Sequence, residues 1–287
     1  MAKIVLFTDS SCDVEKEVLD SWKVKEIQLR VLLDDEEFAF ESGEDTKAFY
    51  EKLRQGSTAK TSAANSQACI DAFEPELEAG RDIIYLGFSS ALSTNYNQAR
   101  NAACELSEKY PDRKIAVIDS LCASLGHGLL LRLSVLRRDS GASFDELVNY
   151  IEEVKKKICH WFIVDDLGFL KRGGRISSAA ALFGSALSIK PVMHVDDNGC
   201  LVKKSQARGR KAAIKEMLDR YESTAIASGK MPVFISHGDC IDDALEVERQ
   251  LKENYGVEET YINYVGPVIG AHSGPGTLSI FFVGSER

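Results

Sequence analysis

Three short apolar runs, KIVLFT (3–8), RDIIYLGF (81–88) and KIAVID (114–119), each stop at a loop rich in serine or aspartate that leads into a helical pattern. An apolar run of this length that ends at a turn signal reads as a strand buried on both faces. Strands buried on both faces need helices over them, so strand, loop and helix in repetition confine the chain to an α/β fold. The first half is therefore expected to hold a mostly parallel sheet with helices on both faces.

The remaining elements follow from the same patterns. TDSSCD offers Ser10, Ser11 or Asp13 as the cap of a helix through VEKEVLDSW, VKEIQLRVLL (24–33) reads as one strand, and TKAFYEKLRQG (46–56) reads as an amphipathic helix. The loop STAKTSAANS precedes a helix from Gln67, and TNYNQARNAACELSEKY is a helix that halts at Pro111. Two more helices are expected over 124–138 and 143–157. In the second half CHWFIVDDL (159–167) reads as a strand, and 189–207 as two strands about Asp197-Asn198-Gly199, a short-hairpin signal. A helix over 209–221, a strand over 232–237, a helix over 242–255 and strands over 258–265 and 277–284 complete an α/β unit with a mixed sheet. With 287 residues the chain exceeds the usual single core, and the pattern changes near 158, so two domains are expected, 1–158 and 159–287.

The net charge of −9 argues against general affinity for nucleic acid. The seven cysteines are scattered without a C-x-x-C pair, which reads as free thiols in a reducing compartment. The apolar run at 4–7 is too short for a signal-peptide core and no segment approaches membrane-spanning length, so a cytoplasmic location is expected. The five histidines lie far apart and none has metal-ligand spacing, so no metal site is expected.

In open α/β sheets ligands bind outside the carboxyl ends of the strands. TDSSCD, KTSAANS (60–66), SSALSTNY (89–96) and DSLCAS (119–124) all fall at such places or at helix starts. Each alone is adequately read as a helix cap; together they resemble a pocket for a small polar or anionic group. Two basic islands stand beside glycines: Lys171, Arg172 and Arg175 around Gly173-Gly174, followed by an Ala-rich apolar helix, and KKSQARGRK (203–211). Each is either a solvated surface or a docking patch for an acidic or phosphorylated group. Gly87-Phe88-Ser89-Ser90-Ala91 approaches the nucleophile-elbow pattern without its last glycine, which keeps open a serine esterase or acyl hydrolase using Ser89 or Ser90 with His272. GPVIGAHSGPG (266–276) precedes a strand rather than opening a helix, so it is read as a loop and not as a dinucleotide fingerprint.

Taken in order along the chain, TDSSCD, KTS, SSALSTNY, VIDSLCASLGHG, LKRGGRIS, SIKPV, ARGRKAA and GPVIGAHSGPG resemble the DegV family of bacterial fatty acid-binding proteins, end to end. The resemblance implies two α/β domains with a long-chain fatty acid between them. It further implies a FakB-like role, in which the protein is no enzyme and needs no cofactor. A separate FakA-like kinase phosphorylates the bound carboxylate to an acyl phosphate that feeds phospholipid synthesis, and transient membrane contact is compatible with that role. By the same resemblance Thr61, Ser62, Ser93 and His272 hold the carboxylate, and Arg175 and Arg208 face the acyl phosphate or the kinase. No residue is assigned a catalytic role. Where the family often has KTSQPS and G-L-S-G-T-Y, this chain has KTSAAN and Ala91-Leu92-Ser93-Thr94-Asn95-Tyr96, changes that bear on the shape of the head-group pocket.

Overall fold

The three apolar runs form the strands expected of them. In the computed structural model, which describes residues 4–176, 189–227 and 229–287, they are β1 (Ile4–Asp9), β6 (Asp82–Gly87) and β7 (Ile115–Asp119). With β2 (Val24–Ile27) they make a four-stranded sheet in the order β2-β1-β6-β7, every pair parallel. The helices α1 (Lys16–Ser21), α3 (Ser66–Glu78), α4 (Asn95–Lys109), α5 (Leu125–Asp139) and α6 (Phe144–Val154) connect or follow these strands. The α6 start carries the expected cap: Ser143 and Glu146 bond each other's backbone in a reciprocal box.

The second half forms the mixed sheet expected of it, in the order β10-β9-β8-β13-β11-β12. Its strands are β8 (Ile158–Ile163), β9 (Ile189–Val195), β10 (Leu201–Arg208), β11 (Val233–His237), β12 (Thr260–Tyr264) and β13 (Leu278–Val283). Only β11 and β12 pair in parallel; β9 and β10 are the antiparallel hairpin about residues 197–199. Helices α8 (Arg210–Thr224) and α9 (Ile241–Tyr255) pack on this sheet through Ala213, Met217, Val247 and Leu251.

The helix α5 joins the two sheets. It is buried nearly all round, as a helix inside a core must be. One apolar cluster holds its Leu125, Leu129, Leu130 and Leu133 together with Leu6 and Ile84 of the first sheet and Phe234 and Phe281 of the second. The sheets are therefore fastened to each other through shared apolar burial.

Several expectations are corrected. The run 24–33 is not one strand: it breaks after Ile27, and β3 (Arg30–Leu33) leaves for a separate three-stranded antiparallel sheet with β4 (Glu36–Glu37) and β5 (Ala59–Ser62), in the order β4-β3-β5. Within the expected loop 57–66 lies β5 (Ala59–Ser62), which pairs Val31 with Thr61. None of Ser10, Ser11 and Asp13 caps α1: Asp9 caps a short 3-10 turn over Ser10–Cys12, while the N-cap of α1 is Glu15, which makes no side-chain bond. The basic turn at 171–175 begins as a short helix, α7 (Leu167–Arg172). GPVIGAHSGPG does open a helix, α10 (Pro267–Ser273), with Gly266 as N-cap and Pro267 in the first turn. The Ala-rich helix expected after Arg175 lies outside the described residues from 177 onward.

All five histidines are held below their ordinary pKa, in each case chiefly by burial. They are His127, His160, His194 (to about 4), His237 and His272 (to about 4). The unfolded chain takes up protons at these sites below about pH 6.5 while the folded chain does not, so stability falls with falling pH over that range. Burial raises Asp13 to about 8 and Glu26 to about 7, and these two act in the opposite sense. Five sites outweigh two. The urea midpoint is therefore expected to drop from pH 7 to pH 5, and His127→Gln to flatten that slope by up to about 1.4 kcal/mol per pH unit; an unchanged slope would count against the buried neutral ring.

Candidate functional site

The strand order reverses direction between β1 and β6, so the loops leaving their carboxyl ends part and open a crevice. Asp9, at the end of β1, lies at its base and is fully buried. Its Oδ2 accepts from Tyr85 OH at 2.7 Å, Phe88 N–H at 3.0 Å and Asn95 Nδ2 at 2.9 Å; its Oδ1 accepts from the backbone N–H and the hydroxyl of Ser11. A carboxylate removed from water is tolerable only when its lone pairs are met in this way. Asn95 extends the network, because its Oδ1 accepts from Ala64 N–H at 3.2 Å. The loop after β6 and the loop after β5 are thereby tied to one carboxylate.

Above this base the expected head-group residues gather. Thr61 Oγ1 and His272 Nε2 are 2.7 Å apart, and Ser93 Oγ accepts from Asn95 N–H at 3.2 Å. Thr61, Ser62, Ser93, His272 and Arg175 all line one cavity of about 500 Å³. The rest of its wall is mostly apolar, with Phe88, Leu92, Phe162, Leu170, Leu201 and Phe281 contributed from both sheets and their loops. Arg208, at the end of β10, is exposed and outside this lining.

His272 is neutral here: burial, and then the nearby Arg175 guanidinium, hold it down to about 4. Its Nδ1 is buried without a hydrogen-bond partner. We assign its proton to Nε2, because a lone pair at Nδ1 suits the adjacent positive charge. The imidazole then donates to Thr61 Oγ1, and the Thr61 hydroxyl keeps its own hydrogen for the cavity. Arg175 is half-buried and donates to the carbonyls of Leu92 (3.2 Å) and Gly173, and among the described residues no carboxylate is its hydrogen-bond or ion-pair partner. One neutral imidazole, three hydroxyls and a guanidinium without an acidic partner form a donor set suited to an anion.

Two glycines make the approach of these parts possible. A Cβ on Gly173 would collide with His272 Nδ1, so only glycine lets the end of α7 close over the imidazole. Gly274 terminates α10 at φ 78°, and a Cβ there would run into the Phe169 ring. Gly173 and Gly274 thus let the helix carrying His272 pack against α7.

The structure does not assemble the serine–histidine pair of the hydrolase alternative. Ser89 is buried and donates to the Gly199 carbonyl at 2.9 Å, Ser90 donates to Asp119, and the His272 ring is bonded to Thr61. The basic islands also divide. Arg210 is taken up internally, donating to Gly276 O at 2.7 Å, Asp243 at 2.6 Å and Asp165 at 3.2 Å. Lys171, Arg172, Lys204, Arg208 and Lys211 remain exposed. A second, wider cleft of about 640 Å³ is lined by Asp13, Glu15, Glu17, Glu26, Glu37 and Glu41 against Lys16 and Arg30, the wrong sign for an anion. Among the described residues no helix is long and apolar enough to cross a membrane, and no cluster of three or more potential ligands marks a metal site.

Sequence reasoning missed Asp9, Tyr85 and Asn95 as the base of the site. Asp9 stands in the polar loop TDSSCD, but its neighbours looked the better caps, and nothing local marks Tyr85, whose apolar context reads as strand.

Fold and site define an α/β protein whose internal apolar chamber ends in a cluster of hydroxyls and an imidazole. The chain belongs to the DegV family: the profile described as "Uncharacterised protein, DegV family" matches residues 3–285. A DegV domain-containing protein of Clostridium perfringens is 42% identical over 289 residues, covering 100% of this chain and 99% of the relative. A DegV lipid-binding protein of Thermotoga maritima has the same fold, with a TM-score of 0.86 at 28% identity over 99% of both chains. A DegV family protein of Thermus thermophilus, solved for its fatty acid binding, gives a TM-score of 0.87 at 28% identity, covering 97% of this chain and 98% of that one. DegV of Bacillus subtilis, a fatty acid-binding protein, gives 0.82 at 28% identity over 98% and 99%.

The close approach at Gly173 is directly testable. Gly173→Ala should cost about 1–3 kcal/mol in urea denaturation, as overpacking does, and should shift the His272 Nδ1 resonance in a nitrogen-15 spectrum. A neutral substitution with an unmoved resonance would mean that α7 does not close on the ring.

Proposed function

We propose that this protein binds a long-chain fatty acid in the 500 Å³ cavity, its carboxylate at Thr61, Ser62, Ser93 and His272, and presents that carboxylate to a separate kinase. The observation that carries the reading is the polarity of the chamber: a donor cluster with no acidic member at one place in an otherwise mostly apolar wall. Burying the alkyl chain contributes about 0.8 kcal/mol per methylene, which makes the tail the main source of affinity. The carboxylate cannot enter unpaired, and the hydroxyls of Thr61 and Ser93 with the guanidinium of Arg175 meet its lone pairs. Fatty acid binding by DegV proteins of comparable fold supports the assignment of the ligand.

In this reading the ligand lies between an N-terminal domain, 1–158, and a C-terminal domain, 159–287, in a cytoplasmic protein that performs no chemistry itself. A FakA-like kinase transfers the phosphoryl group, and the acyl phosphate passes to phospholipid synthesis. Arg175, beside the head group, stabilises the added negative charge. The exposed Arg208 with Lys171 and Arg172 offers the kinase a cationic face.

Native mass spectrometry of protein purified from cells is expected to show a mass excess of one long-chain fatty acid that is lost on denaturation. Protein that is empty as isolated and takes up no acid would end this reading. Ser93→Ala and Thr61→Ala are each expected to weaken binding by about tenfold or more, the cost of a lost hydrogen bond to a charged group. Arg208→Glu should leave acid binding intact and slow kinase-dependent formation of acyl phosphate; equal rates would remove Arg208 from the kinase-facing surface.

A further inference from the structure

Asn95 stands where the chain departs from the pattern of its family, and its surroundings give that departure a purpose. The side chain is fully buried and every polar atom of it is used. Nδ2 donates to Asp9 Oδ2 at 2.9 Å and to Tyr85 OH at 2.6 Å, and Oδ1 accepts from Ala64 N–H at 3.2 Å. Its backbone N–H bonds Ser93 Oγ at 3.2 Å. One residue therefore touches both segments that carry the head-group hydroxyls. Through Ala64 it fixes the chain three residues beyond Thr61, and through its own N–H it fixes Ser93 two residues before it.

The bond to Ser93 has a further effect. A hydroxyl that accepts from a backbone N–H on one side keeps its single hydrogen for another partner. Ser93 is thus turned into a donor toward the cavity it lines, just as His272 turns Thr61 into one. We infer that Asn95 is a positioning residue that holds the Thr61 and Ser93 hydroxyls at a fixed separation and aims both as donors at one anionic head group.

A side chain without the amide keeps the backbone bond to Ser93 but loses the bonds to Asp9, Tyr85 and Ala64 that hold that backbone in place. Alanine leaves Ala64 N–H and one lone pair of Asp9 without partners, and frees the 61–65 segment from the 93–95 segment. Asp9 and Tyr85 by contrast form the base beneath Asn95 and contact neither hydroxyl. Loss of a cap outside the cavity lining, the Ser143 hydroxyl at the start of α6, should lower stability and leave the aim of the donors unchanged.

This inference rests on the proposed fatty acid reading, and the experiment separates the two. Palmitate carrying carbon-13 either at the carboxyl carbon or at the terminal methyl is bound to the full-length protein, and each resonance is recorded for wild type, Ser93→Ala, Asn95→Ala and Ser143→Ala. Asn95→Ala is expected to move the carboxyl resonance in the same direction as Ser93→Ala, to leave the methyl resonance in place, and to weaken palmitate binding about tenfold. Ser143→Ala is expected to lower the urea midpoint without moving the carboxyl resonance. A folded Asn95→Ala protein whose carboxyl resonance stays in place, or whose two labels move equally, overturns the inference. If Asn95→Ala does not fold, Asn95→Leu, which fills a similar volume without the amide, carries the same two outcomes. A wild-type protein with no bound signal defeats the fatty acid reading itself, whereas a signal sensitive to Ser93 but not to Asn95 defeats only the inference.

Discussion

A single buried carboxylate organises the site. Asp9 accepts five hydrogen bonds, two from Ser11 after β1, one from Tyr85 within β6, one from Phe88 just after β6 and one from Asn95 at the start of α4, and the residue is fully buried. The cost of a buried charge makes this arrangement nearly all-or-none: each donor is held because losing it would leave the carboxylate short. The crevice between β1 and β6 is wide because the strand order reverses there, and Asp9 keeps its floor in one conformation. The positions of Ser93 and the 61–65 segment follow from it through Asn95.

The upper part of the site comes from the other half of the chain. His272 is carried on α10, closed over by α7 and shielded from water enough to stay neutral far below the usual imidazole range. A neutral ring bonded to a hydroxyl is a donor relay without a net charge, and Arg175 supplies the charge separately. This division places one cation, Arg175, in the wall of a largely apolar chamber. Close contact between α7 and α10 is possible because Gly173 and Gly274 put no Cβ between them.

Much of this was legible from the residues. Alternating short apolar runs and helical patterns implied the parallel first sheet, and the Asn198-Gly199 turn implied the β9–β10 hairpin, because both are local signals of burial and backbone conformation. The motif set pointed to Thr61, Ser93, Arg175 and His272, and these do line one cavity. The 24–33 run was misread because a strand that leaves one sheet for another keeps the same alternation; only the turn at Gln28 and Leu29 separates them. The helix in 266–276 was misread because its glycines are bad helix formers by propensity, and tertiary contact outweighs propensity there.

The sequence by itself determined the fold class, most of the order of strands and helices and the identity of the polar residues at the strand ends, since burial periodicity and turn chemistry act over a few residues. Only the tertiary structure decided which of those polar residues face the cavity. Ser89 and Ser93 lie four positions apart, yet one hydroxyl is consumed by a backbone carbonyl and the other lines the chamber. Arg208 and Arg210 lie two apart, yet one is exposed and the other is locked among Asp165, Asp243 and Gly276. Whether a hydrogen-bonding group is used up or left to act depends on partners a hundred or more residues away in some cases, and those partners are set by packing alone.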